Sequence, residues 1–448
     1  MKKLAALFAF CALPGWTQLA EQASKRLDEK VGATLAAFDA PSVSVAVTRD
    51  GSVVYARAFG RADAGTRYAV GSISKQFTVA ALLLAQEQGK LSLDDRVAKY
   101  FPDLTRAGEV TIRQLLSHSS GYEDYAPQDY MIPEWEKPTT PEALLEIWAK
   151  KPLNFDPGTR WQYSNTNYVL AGKIFEKASG QELLPYLQRH IFGPLSMTSA
   201  GDCAVKRATD ATAYTRFALG PPRPALREGS GWYFAAGDLC MTPSDLARWD
   251  AAFLDKRILS ARSYEEFTRE VKLKNGAATH YALGLRLGEM AGTPMLSHGG
   301  EVSGFLAMNS VFPKKKIGIA VLSNEDNVGL VSAVTAGTAS ELLEPQGGNA
   351  QRDAEVRAIL ENLQQGRIDR ARFTAHANAY FVEPALGDYK TSLAPLGKLV
   401  VLNRQSEQLR GGMTHLSYRA HFERNTVALN IYVTTDGKFE QFLVEEVF

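Results

Sequence analysis

"SVSVAVTRDGSVVYARAFG", residues 42 to 60, alternates apolar and polar side chains on either side of Asp50-Gly51. A period of two marks strands with one buried face, and Asp-Gly supplies the positive φ angles of a tight turn. The segment is therefore expected to form a β-hairpin that begins an antiparallel sheet. After it the period changes. From Ser72 to Gln88 the chain is apolar nearly all round, at Phe77, Val79, Ala80, Leu82, Leu83 and Leu84, until Gly89 stops the run. That pattern predicts a buried helix. Its first turn, "GSISKQFT" (71–78), nevertheless carries two serines and a lysine.

Working outward, residues from about 91 to 260 offer helices and long loops, with Pro-containing stretches such as "FDPGTRW" and "PPRP". Strand patterns return in "ALGLRLGEM", "FLAMNSVFP" and "IGIAVLSNE", and "VGLVSAVTAGTASELLE" reads as a closing helix. The two ends of one domain, 21–345, thus build a single sheet around a large helical insertion. Residues 346–352, within "PQGGNAQRD", have the composition of a linker. Beyond them, 353–448 reads as a small α+β module: two amphipathic helices broken at Gly366, then the strand-like runs "LVVLNRQSE", "GMTHLSYRAHF", "VALNIYVTT" and "KFEQFLVEE".

The balance of 50 Lys+Arg against 49 Asp+Glu leaves no basic footprint for nucleic acid. Lys2 and Lys3 precede the apolar run "LAALFAFCALPGW", too short to span a bilayer but suited to a secretory leader. Residues 1–20 are expected to be a signal peptide cleaved near Ala20, which makes the product periplasmic or secreted, without a transmembrane segment. Export would permit Cys203 and Cys240 to pair, but two cysteines at unrelated places read first as small buried hydrophobes. The histidines show no metal-ligand spacing and no phosphate-binding glycine loop occurs, so neither a metal nor a cofactor is expected.

Three short patterns carry chemistry. Ser72 and Lys75 are three apart, so on a helix they share one face. Buried there, an ammonium is disfavoured, and a neutral amine is able to take a proton from the serine. Ser74 points elsewhere. In "PGTRWQYSNTNY", Tyr163 and Asn165 precede a helix beginning near Asn167, and offer a phenol for proton transfer and an amide for a substrate carbonyl. In "SHGGEVSGF", His298-Gly299-Gly300 lies before the strand at Phe305. Glycines there let a substrate backbone approach, and the N–H near Glu301 is placed to complete an oxyanion hole with that of Ser72.

In this order, and with "LLSHSSGY", "PGTRWQYSNTNYVLAGKIFEKASG" and "AAGDLCMTPSDLARW", the stretch from about 40 to 344 resembles the serine β-lactamase-related family. That family comprises class C β-lactamases, penicillin-binding DD-peptidases, D-aminopeptidases and related esterases. The resemblance implies an α+β, α/β-sandwich fold in which helices flank an antiparallel sheet. The C-terminal module is similar to cystatin-like α+β domains. Residue by residue, the resemblance implies that Ser72 is the acylated nucleophile, Lys75 its proton acceptor and Tyr163 a shared acid/base. Asn165, His298, Gly300 and Glu301 fall on the substrate side.

His298 stands where β-lactamases carry a lysine, and a histidine only partly charged near neutral pH weakens attraction for a substrate carboxylate. The expectation is an exported serine hydrolase acting through an acyl-enzyme on a D-amino-acid peptide or small ester, with β-lactams behind. The alternative is a non-catalytic penicillin-binding or sensor protein of the same fold. The expected partner is a small-molecule or short-peptide substrate. His118 is read as a residue that holds its loop, and Tyr122 as one that lines the pocket.

Overall fold

The computed structural model describes residues 18–446 apart from 129, 219, 327 and 344–348. The expected leader therefore lies almost wholly outside the described residues. Ser42–Arg49 and Ser52–Gly60 form the hairpin, turning through Asp50 and Gly51, both at positive φ. They occupy one edge of a six-stranded antiparallel sheet, continued by Ile317–Ser323, Phe305–Phe312, Thr293–Val302 and Arg286–Met290. The first and last parts of the domain meet where Val43 pairs with Ser323 and Arg49 with Ile317.

One face of the sheet is covered by the helices Glu21–Phe38 and Val328–Leu342, fastened to each other by Arg26 and Lys30 on Glu341 at 2.6 and 3.1 Å. The other face carries the helical insertion and the larger apolar core. At the centre of that core lies the helix Ser74–Glu87, entered through a 3-10 turn at Gly71–Ile73. It is buried on every side because its neighbours are themselves helices of the insertion, among them Asn165–Ser179 and Pro243–Leu254.

Three differences from the sequence expectation have physical causes. "TPMLSHGGEV" is a full strand of the sheet, whereas His298-Gly299-Gly300 was expected to precede one. Pro294 and two glycines weaken its local strand pattern, and pairing with Arg286–Met290 in its first half and with Phe305–Phe312 in its second supplies what propensity lacks. Cys203 and Cys240 form a disulfide rather than standing as separate hydrophobes. Two-residue strands, Tyr68–Ala69 and Gly201–Asp202, flank Leu239–Met241, and this small sheet brings the cysteines to a Cα separation of 5.0 Å. The expected linker runs through the undescribed residues 346–348 and is helix from Asn349 onward.

The C-terminal module packs Asn349–Leu363, Ala375–Tyr380 and Glu383–Leu393 on one face of a four-stranded antiparallel sheet, Leu399–Arg410, Met413–Phe422, Thr426–Val433 and Phe439–Glu446. Its core alternates along the two central strands, with Leu416, Tyr418 and Ala420 inward beside Val427, Leu429 and Ile431. Of its three helices the last, opening on Pro384, was not anticipated. No described helix is long and apolar enough to cross a membrane.

The disulfide closes a loop of 37 residues, and opening such a loop costs roughly 2–4 kcal/mol of stability. Dithiothreitol should lower the urea midpoint of the wild type and leave that of the double variant Cys203→Ala/Cys240→Ala unmoved. Equal responses of the two proteins would contradict the crosslink.

Candidate active site

The turn Gly71–Ile73 presents Ser72, half buried, toward a cleft between the central helix and the strand Thr293–Val302. The approach of that strand is close. A Cβ built on Gly300 would come within 1.9 Å of the Val70 carbonyl oxygen and 3.3 Å of the Ser72 nitrogen. One on Gly71, at φ 49°, would meet the Glu301 nitrogen at 2.6 Å. Only glycine fits either place.

One turn on, Lys75 is wholly buried, and its Nζ has three oxygen neighbours: Ser72 Oγ at 2.8 Å, Asn165 Oδ1 at 2.8 Å and the Ala236 carbonyl at 2.9 Å. Burial pushes its pKa down to about 7, against the opposing field of Asp124. As an ammonium it donates to all three. As a neutral amine it keeps two N–H donors and one lone pair. The two carbonyl oxygens accept only, so they take the N–H groups and the lone pair is left for the Ser72 hydroxyl. The orientation of Asn165 is set by Asp124, whose Oδ1 accepts the Asn165 backbone N–H at 2.9 Å and side-chain Nδ2–H at 3.2 Å.

Tyr163 donates to Ser72 Oγ at 2.8 Å, and its phenol is pushed above the usual range by burial, so it is a neutral donor near pH 7. Its ring lies 4.2 Å from the His118 imidazole, centroid to centroid. His118 Nδ1 accepts the Ser164 N–H at 3.2 Å, and its carbonyl accepts the Gln162 N–H at 3.0 Å, which fixes the segment carrying Tyr163. Asn165 is the first residue of its helix rather than a loop residue before it. Tyr122 belongs to the core instead of a pocket wall, its hydroxyl donated to the Thr105 carbonyl at 2.9 Å. Ser74 Oγ accepts the Leu239 N–H, away from the cleft.

His298 differs from the expected partly charged group. Burial, then the field of Lys75, pushes its pKa down to about 3, so it is neutral at physiological pH. Its Nδ1 contacts the Gly299 carbonyl at 2.6 Å, which requires a proton there, and its Nε2 accepts from the Tyr281 hydroxyl at 2.8 Å. The nearby cation is Arg286, an exposed residue whose guanidinium lies 5.6 Å above the Trp161 ring and whose field reaches Tyr163 and His298. Glu301 is the strand residue next to Gly300, with its side chain exposed. Asp124, Ala236, Tyr281 and Arg286 carry no motif of their own. Only the proximity of "GYEDY" to the family-like string "LLSHSSGY" hinted at the first. No group of described residues has the make-up of a metal site.

A lysine that titrates near 7 in the fold and near 10.5 when unfolded leaves the unfolded chain holding the extra proton between those values. Stability therefore rises with pH across that window. Relative to Lys75→Met, the wild type should gain at most about 1.4 kcal/mol per pH unit from pH 7 to 10. Below pH 7 the variant should be the more stable protein. Urea titrations of both across this range check the sign, and a pH-independent difference contradicts the depressed pKa.

The family model for Beta-lactamase matches residues 27–340. A putative penicillin-binding protein of Bacillus subtilis (strain 168), PbpX, is 28% identical over 291 residues, covering 63% of this chain and 70% of that protein. A D-aminopeptidase of Brucella anthropi is 30% identical over 288 residues, 60% of this chain and 53% of its own, so the chain spans about half of that enzyme. The octameric penicillin-binding protein homologue from Pyrococcus abyssi shares the fold with a TM-score of 0.61 at 22% identity, over 94% of this chain and 99% of that one. The family match and the D-aminopeptidase relative support a hydrolase. With more than two thirds of its length matched, the chain belongs to the Beta-lactamase family.

Proposed function

We propose that the protein is an exported serine hydrolase that acylates Ser72 with an amide or ester substrate carrying a D-amino acid, β-lactams being poorer substrates. The observation that carries this is the approach of a buried Lys75 Nζ to 2.8 Å from Ser72 Oγ, with Tyr163 on the same oxygen at 2.8 Å. Ser72 Oγ attacks the carbonyl carbon as its proton passes to Lys75 Nζ. The backbone N–H groups of Ser72 and Glu301 receive the oxyanion. On collapse the C–N or C–O bond breaks, Tyr163 protonates the leaving atom and the Lys75 ammonium restores the phenol. Water then attacks the acyl-Ser72 ester, gives its proton to Lys75, and the serine leaves with that proton.

The D-amino-acid preference is supported by the D-aminopeptidase relative, and export by the apolar leader together with a disulfide, which persists in oxidising compartments. Because His298 is neutral, carboxylate attraction falls to Arg286, at the start of the edge strand. Substrates with a free terminal carboxylate are thus favoured over their amides.

The mature protein and Ser72→Ala should be compared with a fluorophosphonate, a p-nitrophenyl ester, a penicillin and D-alanyl peptides. Labelling and turnover are expected in the wild type alone, rising with pH through a midpoint near 7. Activity that survives in Ser72→Ala sinks the nucleophile assignment, and a wild type that never labels favours a binding or sensor protein. Arg286→Ala should raise KM for the peptide acid about tenfold, the worth of one charge-assisted contact, and leave the peptide amide unchanged.

A further inference from the structure

Behind the turn that receives Lys75 lies a cavity of about 480 Å³, within the size range of small-molecule sites. None of Ser72, Lys75, Tyr163, Asn165 or His298 lines it. Ser74 and Thr78 do, from the far side of the central helix. Thr78 Oγ1 donates to the Ala235 carbonyl at 2.7 Å, while Lys75 holds the Ala236 carbonyl one residue on. The two sites thus share the turn Phe234–Ala236 as a common wall.

Much of the lining is apolar, including Leu184, Leu187, Leu239 and Phe234, but four carboxylates and one lysine also line the cavity. Lys173 is paired with Glu176 at 2.5 Å and with Glu142 at 2.7 Å, so its charge is spent. Asp238 and Asp202 repel each other, and among the described residues neither takes part in an ion pair, although Lys206 is close enough for the field of Asp202 to reach it. Arg227, whose field reaches Asp238, is paired with Glu228 at 3.6 Å. Burial, reinforced by Asp202, pushes the Asp238 carboxyl up to about 7. Asp238 also accepts the Phe234 N–H at 2.8 Å and so fixes a residue held in the left-handed region, at φ 38°.

We propose that this cavity binds a small organic ammonium ion with an apolar body, its cation between Asp238 and Asp202 and its body against Leu184, Leu187 and Leu239. Carboxylates that lack an ion-pair partner at the edge of an apolar space are stabilised by a cation that brings its own apolar surface, and a hydrated metal ion lacks that surface. Occupancy gives the Asp238 carboxylate a charged contact while it still holds the Phe234 N–H. The site therefore shares a wall with the catalytic one without opening into it.

Calorimetric titration with phenethylammonium tests this independently of catalysis, using Ser72→Ala and wild type blocked at Ser72 by a fluorophosphonate. Saturable binding of equal affinity is expected in both. Asp238→Asn, and the uncharged probe 2-phenylethanol, should each weaken it about tenfold or more. Should Asp238→Asn fail to fold, Asp202→Asn, whose carboxylate otherwise accepts only the Ala204 N–H, should give a smaller loss. Absence of saturable binding overturns the proposal, as does affinity indifferent to the carboxylate variants or binding abolished by blocking Ser72.

Discussion

Burying an amine is costly unless the amine gives up its proton or finds anionic company, and in the helix Ser74–Glu87 Lys75 is fully buried. It is surrounded by two carbonyl oxygens, one hydroxyl and the faces of Tyr163 and Tyr168, at 4.9 and 5.3 Å from the ring centroids. The field of Asp124 partly offsets the loss of water, and the pKa comes to rest near 7 rather than lower. The same burial that destabilises the fold prepares a base at neutral pH. Asp124 tempers it, orienting Asn165 while its field favours the charged form.

The sheet has a second task, to bring residues 300 and 72 against one another. Gly300 and Gly71 make the two backbones touch, which puts the N–H groups of Ser72 and Glu301 on facing segments. The strand that carries His298 and Gly300 pairs with Phe305–Phe312 from Leu296 to Val302 and with Arg286–Met290 from Thr293 to Ser297, which leaves its other edge open beside Ser72 at His298 to Glu301. On the opposite side of the central helix, Gln76 links Trp249 and Asn309, and Asn309 donates to the buried Asp250 at 2.7 Å. This polar chain ties the helix to the sheet and fixes the height of the Ser72 turn above it.

The hairpin at Asp50-Gly51, the buried helix and the Ser72–Lys75 spacing were legible because each rests on local periodicity or on a turn that only certain residues make. Tyr163 and Asn165 were legible through their company with the first pair. What local pattern does not encode is pairing across the insertion. The Cys203–Cys240 bond depends on strands of two and three residues, the strand Thr293–Val302 on neighbours that override its proline and glycines, and the state of His298 on how deeply it is covered. Ala236 contributes only a backbone carbonyl, which no side-chain motif announces.

The central claim is that Lys75 loses its proton near neutral pH while still folded beside Ser72. Lysine labelled with carbon-13 at Cε reports the charge of its own ammonium, and the Lys75 resonance is identified by its loss in Lys75→Arg. A titration midpoint near 7, well apart from the other lysines, is the result predicted here. A Lys75 resonance that stays in the ammonium position up to pH 10 would contradict it.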